Sequence, residues 1–275
     1  MSNILLGIIT LVICCAGYLF SGWNWKKGKT KTAIIFLLFC GLILRFFVAT
    51  DFFLHDWDER YHALVAKHLI LHPLIPTLYD NPILPFDYKN WLGNNVWLHK
   101  QPFPLWMMAL SMWLFGTNEI ALRLPSIILS TIGIFLTYRI GKYFFNKNIG
   151  YLAAFFYSVN GLILELTGGR VATDHIDIFF LFFIELAIFL SILFSRKKII
   201  IFNVLTGISI GIAILCKWLP AFIVIPIWLL IVFDSSNFAR KEIISHFLIM
   251  LITCFFLLLI QKCKVIYYLH HQPYF

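Results

Sequence analysis

Asp56, Asp58 and Glu59 fall within four residues of one another and next to Arg60, in the run Asp56-Trp57-Asp58-Glu59-Arg60-Tyr61. A carboxylate set against a hydroxyl can take its proton as the oxygen attacks an electrophile. A neighbouring guanidinium can hold the oxygens of a departing phosphate. Charged residues of all kinds make up only 13% of the 275 residues, so three carboxylates beside an arginine call for a reason. Register within the Asp-x-Asp pair leaves Asp56 and Asp58 as rivals for a base. The structural alternative is that Asp58 caps a helix beginning at Glu59.

The elements that must position this cluster are apolar. Apolar residues reach 61% and aromatic ones 18%, the mean hydropathy is +0.86, and globular chains run at roughly 45–50% apolar. Apolar runs near 4–20, 33–50, 120–138, 149–166, 176–194, 199–216, 219–233 and 243–260 are each about long enough for a helix to cross a ~30 Å hydrocarbon core. The sequence therefore predicts an all-α polytopic membrane protein with about eight transmembrane helices. The first run is expected to be an uncleaved helix, because Lys26, Lys27, Lys29 and Lys31 follow it and no basic residue precedes it. The six cysteines (14, 15, 40, 216, 254 and 263) lie in or beside apolar runs without metal-ligand spacing and read as small buried hydrophobes.

Taking the lysine-rich 21–32 loop as cytoplasmic also puts the loops 139–148, 195–198 and 234–242 inside. Those four loops hold 12 of the 22 Lys and Arg, as the positive-inside rule expects. The net charge of +9 thus reflects orientation, and no basic stripe with interleaved aromatics suggests a nucleic-acid partner. The same count sends ten of the 13 carboxylates to the outer face, among them Asp51, Asp56, Asp58, Glu59, Asp174 and Asp177. Arg60, His99, Lys100, Arg170 and Lys217 go with them. The outer loop 51–119 is expected to hold two membrane-hugging helices, 59–72 and 103–116, the second anchored by Trp106 and Trp113. A proline-rich crossing (Pro73, Pro76, Pro82, Pro85) joins them.

Four ordered motifs carry a resemblance: WDERYHALVAKHL (57–69), LHKQPFPLWMMALSMWLFGTNEIALRLPS (98–126), ATDHIDIFF (172–180) and GIAILCKWLPAF (211–222). Together they resemble the membrane-embedded glycosyltransferases of the C superfamily, in particular the bacterial protein-mannosyltransferase and lipid A aminoarabinose-transferase group. The resemblance covers about residues 30–230. It implies transfer of a sugar from a polyprenyl phosphate to a lipid, glycan or protein acceptor, with membrane lipids around the enzyme. It also implies the bacterial plasma (inner) membrane as the location, with the active site on the outer, periplasmic face.

The resemblance implies a role for each matched residue. Asp58 matches the catalytic acidic position as general base, with Asp56 its rival and Glu59 the third carboxylate of the catalytic cluster. One base suffices for a direct, inverting displacement. Lys100 matches a lysine that meets the lipid-linked phosphate, the alternative being a lysine snorkelling beside an interfacial helix. Arg60 would assist it. Asp174 matches a second acidic residue that orients the donor or its partners, including Arg170; the alternative is a helix cap. Lys217 matches a lysine in a short outer turn, although Cys216 and Trp218 replace the commoner neighbours, and interface anchoring is equally open. His99 stands where some relatives carry a metal-linked glutamate. A divalent metal is therefore the one cofactor raised, and His99 bonding locally is the alternative. Arg123 with Pro125 reads as structural.

A single membrane-embedded domain, 1–275, is expected, with a first span and loop at 1–32, a family-like core at 33–233 and a further span at 234–275. The family's members run longer, so the chain is expected to be truncated, ending as an outer loop begins at Tyr267–Phe275. A non-catalytic fragment of such an enzyme is the second reading. A transporter is the third, since Glu185 lies within a span, but no symmetric pair of broken helices supports it.

Overall fold

The computed structural model describes residues 3–81, 87, 89–90, 95–172, 174–235 and 238–271, with side chains as far as 256. The helices are α1 (Asn3–Lys26), α2 (Thr30–Val48), α3 (Asp58–Leu71), α4 (Pro102–Phe115), α5 (Glu119–Phe144), α6 (Lys147–Val159), α7 (Gly161–Thr167), α8 (Asp174–Lys197), α9 (Ile200–Lys217), α10 (Val224–Asp234) and α11 (Arg240–His271), with a 3-10 turn at Leu219–Ile223. A single isolated bridge, Thr77 to Val96, is the only β pairing among the described residues. Within hydrocarbon every backbone N–H and C=O must be satisfied inside the segment, which is why apolar runs of this length fold as helices. The all-α polytopic expectation is borne out.

Each of the eight apolar runs falls on helix. Five helices (α1, α2, α5, α8 and α9) are long and apolar enough to cross a membrane, and α6 with α7 makes a sixth if that pair, bent by 51°, is one span. The segment Leu219–Asp234 is shorter, and α11 runs on into residues whose side chains are not described. The two helices expected in the first outer loop are present as α3 and α4. Pro82, Pro85 and residues 272–275 lie outside the described residues, whereas the backbone of Tyr267–His271 continues α11 as helix.

The chain divides into two compact units. The first, Met1–Glu59 with Asn118–Ile178, holds α1, α2, α5, α6, α7 and the opening turns of α3 and α8. Helix α2 packs against α1, α5, α6 and α7, around Ile34, Leu37, Ile134, Tyr138 and Ala154. Lipid tails are as apolar as these side chains, so close packing holds the helices together. A Cβ on Gly141 would lie 2.9 Å from the Cα of Gly150, so paired glycines let α5 and α6 touch through their backbones. Asn118, Asn146 and Asn160 cap α5, α6 and α7, each accepting backbone N–H groups through its side chain.

Arg45 is fully buried in α2. Its Nε donates to Ser130 Oγ at 2.9 Å, and its Nη1 donates to Gly41 O at 3.0 Å and Ser158 O at 3.2 Å. Ser158 is in the last turn of α6, where carbonyls lose their intrahelical partners. Arg45 supplies one replacement, just ahead of the break at Asn160.

The second unit, Arg60–Thr117 with Phe179–Phe275, packs α9 against α4 and α11. Asn203 ties it together, donating to His246 O at 2.7 Å and accepting from Trp228 Nε1 at 3.0 Å. Ahead of α4 the chain is pinned by Leu78 N to Asn95 O and Trp97 N to Pro76 O, both 2.7 Å. Trp97 is buried there, which fixes the stretch carrying His99 and Lys100.

Candidate active site

The first unit builds one polar hub around Glu59. Glu59 is 1% exposed, and both of its oxygens are occupied. Oε1 accepts from Arg123 Nε at 2.7 Å and faces His175 Nε2 at 3.2 Å. Oε2 accepts from Arg123 Nη2 at 3.0 Å and from the His55 backbone N–H at 2.7 Å, and faces His55 Nδ1 at 2.8 Å. Burial pushes the carboxyl up, but the hydrogen bonds and charges of His175 and Arg123 outweigh it and hold it down at about 2.

Arg123, at the start of α5, is itself fully buried. A guanidinium has five N–H donors, and here each has an acceptor. Beyond the two bonds to Glu59, Nη1 donates to Ala49 O at 2.9 Å and to Asp51 O, and Nη2 donates to Phe53 O at 2.8 Å. Carbonyls 49, 51 and 53 alternate along the linker from α2 to α3, so one side chain shapes the approach to the carboxylate cluster. The structural role expected for Arg123 is what this geometry gives it.

Two further arms leave the hub. His175 Nδ1 lies 3.0 Å from Ser126 Oγ, and Ser126 also bonds Thr167 O at 3.2 Å, joining α8, α5 and α7. His55 Nε2 lies 3.2 Å from Asp51 Oδ2, which also accepts from Arg170 Nε and Nη2 at 3.0 Å each. Gly169, beside Arg170, has φ +73, and a Cβ there would collide with the Glu59 carboxylate and crowd His175 Nε2. Only glycine meets both demands.

Of the residues singled out on sequence, Asp56, Asp58, Glu59, Arg170 and Asp174 fall in this unit. Asp58 opens α3 and is half-buried, Asp56 is exposed, and Trp57 between them sits at φ +68, a left-handed conformation unusual for a bulky side chain. Asp174 is buried at the start of α8 with φ +41, and its Oδ1 accepts from Ile176 N at 3.3 Å, as a capping residue does. Arg60, His99, Lys100 and Lys217 belong to the second unit. Arg60, His99 and Lys217 are exposed and Lys100 half-buried, with His99 packed at 5.7 Å on the Trp97 ring. Among the described residues no group of three or more His, Cys, Asp or Glu side chains is arranged to hold a metal ion.

His55, His175 and Ser126 were not singled out from the sequence. The available signal was spacing, since Asp51, His55 and Glu59 follow at i, i+4 and i+8. An intramembrane arginine such as Arg45 was a second signal.

A bundle of long apolar helices with a buried, fully paired polar hub near the start of α3 is the architecture of a polytopic membrane protein with a built site. The sequence profile described as dolichyl-phosphate-mannose-protein mannosyltransferase matches residues 99–262, more than half of the chain, and the chain belongs to that family. The expected membership of the membrane glycosyltransferases of the C superfamily is thereby borne out. The matched stretch takes in Lys100, Arg123, Arg170, Asp174 and Lys217, and the Asp56–Arg60 cluster lies ahead of it.

Among solved structures the chain is similar to the archaeal oligosaccharyltransferase AglB from Archaeoglobus fulgidus, in complex with an inhibitory peptide and a dolichol-phosphate. The TM-score is 0.57 at 17% identity, covering 82% of this chain and 29% of that one. At that identity the likeness is one of fold, and the chain spans about 29% of that protein's length. A search of curated protein sequences finds no match.

Proposed function

We propose that this chain is a glycosyltransferase that moves a sugar from a polyprenyl-phosphate donor to a lipid, glycan or protein acceptor on the outer face of the membrane. The family supports the donor class, because it is named for a dolichyl-phosphate sugar. The solved relative is a complex with dolichol-phosphate and a peptide, in keeping with a polyprenyl carrier and a peptide or glycan acceptor. The clustering of basic residues in the loops read as cytoplasmic supports an outer site and a multi-pass protein of the bacterial inner membrane.

In the proposed reaction an acceptor oxygen forms a bond to the anomeric carbon while the bond from that carbon to the phosphate oxygen breaks. The electron pair leaves with the polyprenyl phosphate, and the acceptor proton passes to a carboxylate. One displacement inverts the anomeric configuration. The observation that carries the assignment of the base is the state of Glu59. Both of its oxygens are committed to neighbouring donors, and a carboxyl held at about 2 is a weak proton acceptor at neutral pH. That arrangement fits a positioning residue and leaves proton removal to Asp58, with Asp56 as the rival.

Arg60, Lys100 and Lys217 supply cations of the kind a departing phosphate requires, and Lys100 and Lys217 lie within the stretch matched to the family. Arg170 is held on Asp51 and Asp174 accepts from the start of α8, so for both we favour positioning of the outer-face loop. No step is assigned to a metal.

The test is transfer from a labelled polyprenyl-phosphate sugar by membranes containing the protein. Product whose anomeric configuration is inverted supports the reading. Retained configuration, or the same product from membranes lacking the protein, overturns it.

A further inference from the structure

The turn that carries Asp56 and Asp58 is closed by one residue. The backbone N–H of His55 donates to Glu59 Oε2 at 2.7 Å, and the His55 ring reaches the same oxygen through Nδ1 at 2.8 Å. Its other nitrogen, Nε2, lies 3.2 Å from Asp51 Oδ2. An ionised carboxylate only accepts hydrogen bonds, so each ring nitrogen must carry a proton to make both contacts.

Arg123 Nη2 also approaches Nδ1, at 3.3 Å. Both Nη2 protons are already directed at Glu59 Oε2 and Phe53 O at shorter distances, so no donor remains to claim a lone pair on Nδ1. The remaining neighbour of the ring is Phe53, with centroids 5.0 Å apart. Arg123 is the cation that faces the ring directly, and Arg170 and His175 act through its two partners, Asp51 and Glu59. Three residues of chain lie between the two ends of the closure, and the middle one, Trp57, is left-handed at φ +68. A non-glycine residue in that region is strained and persists only when its surroundings fix it.

We propose that His55, protonated on both ring nitrogens, is a positioning residue that joins Asp51 to Glu59 and thereby holds the left-handed turn setting where Asp56 and Asp58 stand. The role in transfer rests on the reading of Asp58 or Asp56 as base. The protonation state does not.

Two amide variants separate the contacts, because asparagine places its NH2 near the position of Nδ1 and glutamine places it near that of Nε2. H55N keeps a donor for Glu59, and H55Q keeps one for Asp51. Transfer is measured from pH 5.5 to 9 with wild type, H55N and H55Q in nanodiscs, each shown to be folded by its thermal transition. The expected result is a wild-type rate that falls on the alkaline side, and no such limb in either amide variant. H55Q is expected to lose roughly 10- to 100-fold in kcat, the cost of displacing a reacting group by about 1 Å, with the donor KM unchanged and H55N closer to wild type. Wild-type kcat in both variants with the alkaline limb intact would overturn the proposal.

An independent readout uses 15N-histidine NMR of the whole protein, with the His55 signal assigned by its loss in H55Q. An imidazolium signature at neutral pH supports the bridge, and a neutral ring overturns it. Full activity in both D58N and D56N would instead defeat the base reading, leaving the NMR result to decide the His55 bridge.

Discussion

Arg123 meets Glu59 side-on, Nε to Oε1 at 2.7 Å and Nη2 to Oε2 at 3.0 Å, and neither side chain is exposed to solvent. A buried pair of this kind is held by geometry. Its attraction repays the loss of hydration only because every remaining donor on the guanidinium finds a carbonyl. The pair therefore works as the joint that sets the linker between α2 and α3.

Breaking that joint from one side leaves an uncompensated buried charge. Arg123→Gln is expected to destabilise the protein by about 3–5 kcal/mol. Arg123→Lys should do little better, because an ammonium cannot serve two carboxylate oxygens and three carbonyls in one plane. Thermal unfolding in detergent reads both effects. A transition for Arg123→Lys within a degree or two of wild type would mean that the fork geometry is not what holds the linker.

Gly169 is expected to tolerate no side chain. Alanine there would be strained at φ +73 and would push into the Glu59 carboxylate and His175, so Gly169→Ala should cost at least about 1–3 kcal/mol. The same change at Gly28, where φ is +76 but open space surrounds the site, pays only the backbone cost. A larger loss at Gly28 than at Gly169 would contradict the close approach.

Acid dependence follows from Glu59. Its carboxyl is held at about 2 in the folded protein, against an ordinary value of 4.5, so the folded state favours the ionised form. The stabilisation is fully present above pH 4.5 and disappears as pH falls through about 2, a contribution of about 3 kcal/mol. Unfolding midpoints recorded from pH 7 down to 3 should show wild type losing stability below about 4.5 more steeply than Glu59→Gln, which has no charge to lose there. Parallel curves would show that another group carries the acid sensitivity.

Orientation is checked by cysteine labelling. Asn94 falls in the long loop read as outer and Lys147 in a loop read as cytoplasmic. A cysteine at 94 should react with an impermeant maleimide from the outside and one at 147 only after permeabilisation. The reverse pattern would invert the proposed topology.

The helices were legible in the sequence because hydrocarbon imposes length and apolarity directly. The eight runs near 4–20 through 243–260 fall on helix, as do the two shorter segments at 59–72 and 103–116. The break at Asn160 was not legible. Beside it Arg45 reaches Ser158 O from another helix, a contact between residues 113 apart in the chain. The candidate site was half legible. Composition and motif drew attention to Asp56, Asp58 and Glu59 together, but the bonds of Glu59 to Arg123, His175 and His55 were not legible. The histidines were missed because hub residues answer to partners distant in sequence, His175 lying 116 positions from Glu59, and no period records such pairing.

The central claim, that the carboxylate beside the hub removes the acceptor proton, is tested most directly by transfer of labelled sugar in membranes carrying Asp58→Asn. Loss of the base should lower kcat by about 10²–10⁴-fold, with the thermal transition and the donor KM close to wild type and Asp56→Asn retaining most activity. Near wild-type transfer by Asp58→Asn would contradict the claim, and loss confined to Asp56→Asn would move the base two residues along the same turn.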